Sequence, residues 1–183
     1  MKHTKEIFQR LSRGQFISSN SVDRDIRTLY NDIEENQQEY TDYFSQIDFQ
    51  LMGGDGYFYF SRNEARQTLE NKLQAFFKWI DYIDFLKTYD TTFGAGTQFR
   101  VSNLEGRMAS DLELREKLGN LRIDETTNHD KIRRIADDMA NLGFAELVNA
   151  ADEEFQVTNA FNYLEQILMC FNINEDLDDE IPE

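Results

Sequence analysis

The sequence predicts a mainly α-helical fold with small β-hairpins, an α+β class in which one kind of unit is used twice. Three observations carry that reading. Proline is confined to Pro182, so helices can run without internal breaks and glycine supplies the punctuation. Apolar residues recur at helical spacing over most of the chain. In two places the apolar period drops to two around a short turn, which marks a hairpin following a run of helices.

Ile7, Phe8 and Leu11 mark a first helix that Gly14 can close. After Phe16 and Ile17, Ser18 to Ser21 offer N-caps for a second helix with Val22, Ile26, Leu29, Tyr30 and Ile33 on one face. Asp23 and Asp25 fall in its first turn, where negative charge suits the helix dipole. Tyr40, Tyr43, Phe44 and Ile47 give a short third helix. Ile47, Phe49 and Leu51 then alternate, Gly53-Gly54-Asp55-Gly56 turns, and Tyr57-Phe58-Tyr59-Phe60 returns. Phe58 and Phe60 are assigned to the core. Tyr57 and Tyr59 then face outward as candidate protein-interface residues.

Arg66 to Tyr89 reads as one long helix with two apolar stripes. One is Leu69, Leu73, Phe76, Phe77, Ile80 and Ile83; the other is Trp79, Tyr82, Leu86 and Tyr89. A surface helix normally buries one stripe, so either both halves of the chain or another subunit packs on this one. Trp79, Tyr82, Phe85 and Leu86 are the candidate partner-facing or interdomain residues. Thr92 to Thr97, with Gly94-Ala95-Gly96, reads as a linker.

The pattern then repeats. Ser102 with Glu105 and Ser110 with Glu113 fit the capping box and would start two helices, the second carrying Leu114, Leu118 and Leu121. Asn128 is a candidate cap for a third, with Ile132, Ile135, Ala136 and Met139 inward and Leu142-Gly143-Phe144 at its end. A strand through Leu147, a turn at Asp152-Glu153 and a returning strand with Phe155 and Val157 complete the unit. A last helix carries Phe161, Leu164, Ile167, Leu168 and Phe171. Three helices and a hairpin are the order of a winged helix, so the expected architecture is tandem winged-helix domains. The expected division is an N-terminal winged-helix domain over 1–65, a connecting helix and linker over 66–97, a C-terminal winged-helix domain over 98–173 and an acidic disordered tail over 174–183.

Composition narrows the function. Nineteen Lys and Arg stand against 35 Asp and Glu, a formal charge of −16, while 40% apolar residues suffice for a packed core. The single cysteine, Cys170, lies beside Met169 and Phe171 and reads as an inert buried thiol. His129, near the start of its helix, reads as a surface or capping residue. With His3 its only companion, no histidine metal site is expected. No apolar run is long enough for a membrane span and no signal-like hydrophobic region follows Met1, so a cytoplasmic setting is expected. Gly94-Ala95-Gly96 lacks the third glycine and parallel strands of a dinucleotide loop. Asn174, Asp176 and Asp178 lack the glycine and flanking helices of a calcium loop. No catalytic residue, cofactor or metal is expected.

Winged helices often read DNA, and phosphate neutralisation dominates that affinity. The third helix of the second unit carries Lys131, Arg133 and Arg134 but also Asp130, Asp137 and Asp138. In the first unit Arg24 and Arg27 sit among Asp23, Asp25 and Asp32. Tight DNA binding by this chain alone is therefore not expected. Lys131 and Arg134, three residues apart, are the candidate DNA contacts within a larger assembly. The net-basic run is Lys2, Lys5, Arg10 and Arg13 against Glu6.

The run Leu11-Ser12-Arg13-Gly14-Gln15-Phe16-Ile17, then Leu29-Tyr30, Tyr43-Phe44 and Gly56-Tyr57-Phe58-Tyr59-Phe60, resembles the N-terminal winged-helix domain of the MukE/MksE family. Lys131-Ile132-Arg133-Arg134, Met139-Ala140-Asn141-Leu142-Gly143-Phe144 and Phe155-Gln156-Val157-Thr158 are similar to its C-terminal winged helix. The resemblance implies a non-enzymatic, homodimeric accessory subunit of a bacterial condensin. It would bind a kleisin and, through it, an SMC-like ATPase that compacts DNA in the nucleoid, with no membrane partner. Related complexes serve plasmid defence beside a nuclease. The residues alone also admit an autonomous winged-helix DNA-binding transcriptional regulator.

Overall fold

The computed structural model describes residues 1–61 and 66–178, with side chains for 1–61 and 77–169. Among the described residues there are eight helices and two three-stranded antiparallel sheets, an α+β fold consistent with tandem winged helices. The first unit runs α1 (Thr4–Leu11), β1 (Ile17–Ser18), α2 (Arg24–Glu35), α3 (Gln37–Ser45), β2 (Gln50–Gly54) and β3 (Tyr57–Ser61), with sheet order β1-β3-β2. The second runs α4 (Arg66–Tyr89), β4 (Gln98–Arg100), α5 (Val101–Arg107), α6 (Leu112–Asn120), α7 (Asn128–Leu142), β5 (Ala145–Asn149), β6 (Glu154–Val157) and α8 (Phe161–Asp178), with order β4-β6-β5.

Each unit thus places a helix before a short edge strand that pairs with the returning hairpin strand. The sequence reading has neither β1 nor β4, because two or three residues are too few to show a period. Two helices follow β1 whereas three follow β4, so the copies differ by one helix.

The first core gathers Ile7 and Leu11 of α1, Ile26 and Ile33 of α2, Tyr40 and Phe44 of α3, and Leu51 and Phe58 of the hairpin. Phe60 packs partly buried against it, as expected of the Phe58–Phe60 face. Val22 precedes the N-cap Asp23 and is exposed, so the expected helical stripe starts at Ile26 instead. Tyr43 and Ile47 are exposed as well, because α3 turns only Tyr40 and Phe44 inward and ends before Ile47.

Asp32 pins the chain's start to this core. Its carboxylate accepts hydrogen bonds from the Lys2 and His3 backbone N–H groups at 2.8 and 2.9 Å and from the Tyr40 hydroxyl at 2.6 Å. Burial pushes its pKa up, but the three donors and the terminal ammonium outweigh that and hold it below its ordinary 3.8. Burial, and the bond to Asp32, push the Tyr40 hydroxyl up to about 12. Because the folded carboxyl titrates below the unfolded one, its contribution is complete above pH ~4 and disappears as pH falls through the lowered value. Asp32→Ala is expected to cost about 1.5–3 kcal/mol at pH 7, since it strands buried donors. Urea titrations at pH 7 and pH 3 check this: the gap between wild type and variant should narrow at the lower pH.

The second unit corrects three expected caps. Asp111, not Ser110, caps α6 by accepting from Leu114 N, and Thr127, not Asn128, caps α7 by accepting from Asp130 N. Helix α5 begins at Val101 with no side-chain cap, so Ser102 is already inside it. Gly143 ends α7 in the left-handed conformation, φ +87°, as expected. The stretch read as a linker holds Phe93, fully buried and packed edge-on against Phe161. Helix α8 extends to Asp178, so the first half of the expected tail is helical backbone, while 179–183 lie outside the described residues. The expected core positions Leu69, Leu73 and Phe76 and the side chain of Cys170 also lie outside the described side chains.

Candidate functional site

The six residues assigned to a protein interface belong to, or pack against, one hydrophobic cluster, which is built mostly from the second unit and is joined by Phe16, Tyr57 and Tyr59 of the first. Tyr57, Tyr82, Phe85 and Leu86 are buried within the chain itself, none more than 3% exposed. Tyr59 and Trp79 are half-buried against the same cluster. The outward placement of Tyr57 and Tyr59 is therefore corrected. Their sheet is packed on both faces: Phe58 points at its own helices, while Tyr57 and Tyr59 lie against Tyr163 of α8. The Tyr57 hydroxyl donates to Gln166 Oε1 at 3.3 Å. Gly54 makes room for this ring, because a Cβ there would stand 2.1 Å from Tyr57 Cζ.

Phe16 is the centre of this seam. Its ring lies 5.3 Å from Tyr59, 4.9 Å from Phe144 and 5.1 Å from Tyr163, centroid to centroid. Trp79 continues the chain of rings, 5.2 Å from Phe144 and 5.6 Å from Tyr82. Offset and edge-on geometry adds attraction beyond simple burial. Polar contacts fix the register. Phe16 N donates to Leu142 O at 2.9 Å and Gln15 Nε2 to Asn141 O at 3.0 Å. Asn159 N donates to Asn20 Oδ1 at 2.7 Å, and Gln156 Nε2 to Asn20 O at 3.1 Å. Glu146 takes both Ser21 Oγ, at 2.6 Å, and Val22 N, at 2.5 Å. Residues 15–22 thus form a strap bound along the second unit. Sequence reasoning missed Phe16, Phe144 and Tyr163 as members of this seam. The four consecutive aromatics of β3 were the available signal, since a strand buried on both faces loses its alternation.

The outer part of the long helix is less covered. Phe77 is 53% exposed, the most exposed aromatic among the described side chains.

The candidate DNA contacts meet a closed set of charges. Arg134 lies 3.1 Å from Asp138 and 4.0 Å from Glu125. Asp138 also takes Lys78 at 2.5 Å and the Tyr82 hydroxyl at 3.0 Å, and burial followed by this carboxylate pushes the Tyr82 pKa up. Arg133 is held by Asp137 at 3.0 Å and Glu153 at 2.8 Å, with its guanidinium 5.3 Å from the Phe155 ring centre. His129, expected on the surface or in a cap, bridges Glu105 at 3.3 Å and Glu153 at 2.9 Å. Lys131 makes no ion pair among the described residues, so it is the α7 cation left available. Helix α3, third in the first unit, carries Glu39 and Asp42 and no cation.

Among the described residues no three His, Cys, Asp or Glu side chains are grouped to hold a metal ion, and no helix is long and apolar enough to cross a membrane. The arrangement is suited to holding surfaces together. No curated protein matches the chain. A family model described as condensin complex protein MksE matches residues 2–168.

Proposed function

The chain belongs to the condensin complex protein MksE family, a non-catalytic subunit of an SMC-like complex, and from that premise we propose that it binds the kleisin as a homodimer and helps hold DNA inside the assembled complex. The observation that carries this reading is the family match across both winged units. The aromatic seam supports it, because a scaffold that presents two units in fixed relation needs them locked together. ATP chemistry belongs to the SMC-like partner, and the working location is the nucleoid.

In this proposal Phe77 and the half-buried Trp79 supply the partner-facing part of α4, while Tyr57, Tyr82, Phe85 and Leu86 act from inside by fixing that helix. Lys131 is the α7 residue offered to DNA, with Arg134 restrained by its carboxylates. The autonomous-regulator reading loses ground on the same electrostatics, since neither third helix presents a basic face.

Co-expression with the kleisin of the same organism's condensin-like complex, followed by mass measurement of the purified complex, tests the proposal. The expected result is a complex containing two copies of this 21.6 kDa chain. Failure to co-purify, with the chain remaining a monomer, would overturn it. Phe77→Glu is expected to weaken the complex at least tenfold while leaving the fold intact, because the residue is already exposed.

A further inference from the structure

Resting on the reading of a DNA-holding complex, we propose that this chain meets the phosphate backbone of duplex DNA chiefly along α1, with Lys131 of α7 adding only a minor contact and α3 none. The cations of the molecule are unevenly committed. In the second unit Lys78, Lys87, Arg100, Arg107, Lys117, Arg133 and Arg134 each lie within 4.0 Å of a carboxylate and Arg115 donates to the Met108 carbonyl, which leaves Arg122 and Lys131, far apart in the chain, without an ion pair among the described residues. In the first unit the side chains of Lys2, Lys5, Arg10 and Arg13 make no ion pair among the described residues. Lys2, Lys5 and Arg13 are exposed and Arg10 is half-buried.

Lys5 and Arg10 lie on α1, 8 residues and about 12 Å long at 1.5 Å per residue, with Lys2 and Arg13 just beyond its ends. Each duplex strand carries one phosphate per 3.4 Å of axis, so cations spread over that length can meet several phosphates. The opposing charges are Glu6 on α1 and Asp23 and Asp25 on α2. Of these, the Asp23 carboxylate is already engaged as the α2 cap, accepting from Asp25 N at 2.8 Å. An open cavity of about 460 Å³ between the two helices is bordered by Arg10, Arg13 and these acids.

The surface fits nucleic acid better than an acidic protein segment. Protein partners anchor on large apolar or aromatic side chains, with charge at the rim. Here Ile7 and Leu11 are buried and Phe8 packs against the first core, so α1 shows charge without an exposed apolar anchor. Phosphate contact needs only charge, and gives affinity without sequence preference.

The test uses the full chain and a fluorescent mixed-sequence duplex at about 50 mM salt, with the triple variant Lys5→Gln, Arg10→Gln, Arg13→Gln and the single variant Lys131→Gln. The triple variant should lose at least tenfold in affinity and flatten the slope of log affinity against log salt by about three. Lys131→Gln should stay within twofold of wild type. Unchanged binding by the triple variant, or no binding by wild type, would overturn the proposal. So would equally tight binding of a ten-residue polyglutamate that the triple variant abolishes. Kleisin co-purification of the triple variant separates this outcome from the wider reading, which stands or falls by complex assembly and not by these three side chains.

Discussion

Phe16→Ala is expected to destabilise the chain by about 3–5 kcal/mol, the range for deleting a buried aromatic ring. The ring is 7% exposed and touches Tyr57, Tyr59, Phe144 and Tyr163, so its loss opens a cavity bounded by both units. The consequence extends beyond stability. With the ring gone, the strap keeps its hydrogen bonds but loses the apolar contact that holds the first sheet on α8. Urea unfolding followed by tryptophan fluorescence and by far-ultraviolet circular dichroism should then give two separated transitions where wild type gives one. The sole tryptophan, Trp79, sits 5.2 Å from Phe144 and reports on the seam directly. Ile17→Ala is the control. Ile17 belongs to the first core and should lower stability without separating the probes.

Gly143→Val should cost about 3 kcal/mol through two independent effects. At φ +87° any L-residue pays roughly 1–2 kcal/mol, and a β-branched one is a rare outlier there. A Cβ would also sit 3.0 Å from Phe16 O and 3.4 Å from Phe16 N, which are backbone atoms that cannot swing aside. The adjacent Phe16 N–H to Leu142 O bond would have to lengthen to admit it. Gly119, inside α6 with nothing within 4 Å of its would-be Cβ, is the contrast. Gly119→Ala should leave stability unchanged or raise it by up to about 1 kcal/mol. Thermal unfolding of the two variants side by side checks both signs.

Much of the fold was legible because helices of eight or more residues show their period, and Asp55-Gly56 between apolar runs marks its hairpin. What escaped was shorter or less local. Ser110 and Asp111 are both capable caps, and only the path of the chain into α6 selects Asp111. The candidate site was half legible. Tyr82, Phe85 and Leu86 stand out as apolar surface needing cover, with the sequence leaving open whether it comes from inside or outside the chain, whereas Tyr57 reads as outward-facing and is buried against α8. The charges of α7 itself cancel, but Glu125 and Glu153, which complete the pairing of Arg134 and Arg133, come from flanking segments that the helix alone does not show.

The strap also sets an order of events during synthesis. Gln15 to Val22 find their partners between Asn141 and Ala160, more than a hundred residues later in the chain. On the ribosome the amino-terminal half therefore emerges with the tyrosine side of its sheet bare, and it stays so until α8 has been made. A stalled or truncated product would expose sticky aromatic surface, making the carboxy-terminal helix the piece that closes the molecule.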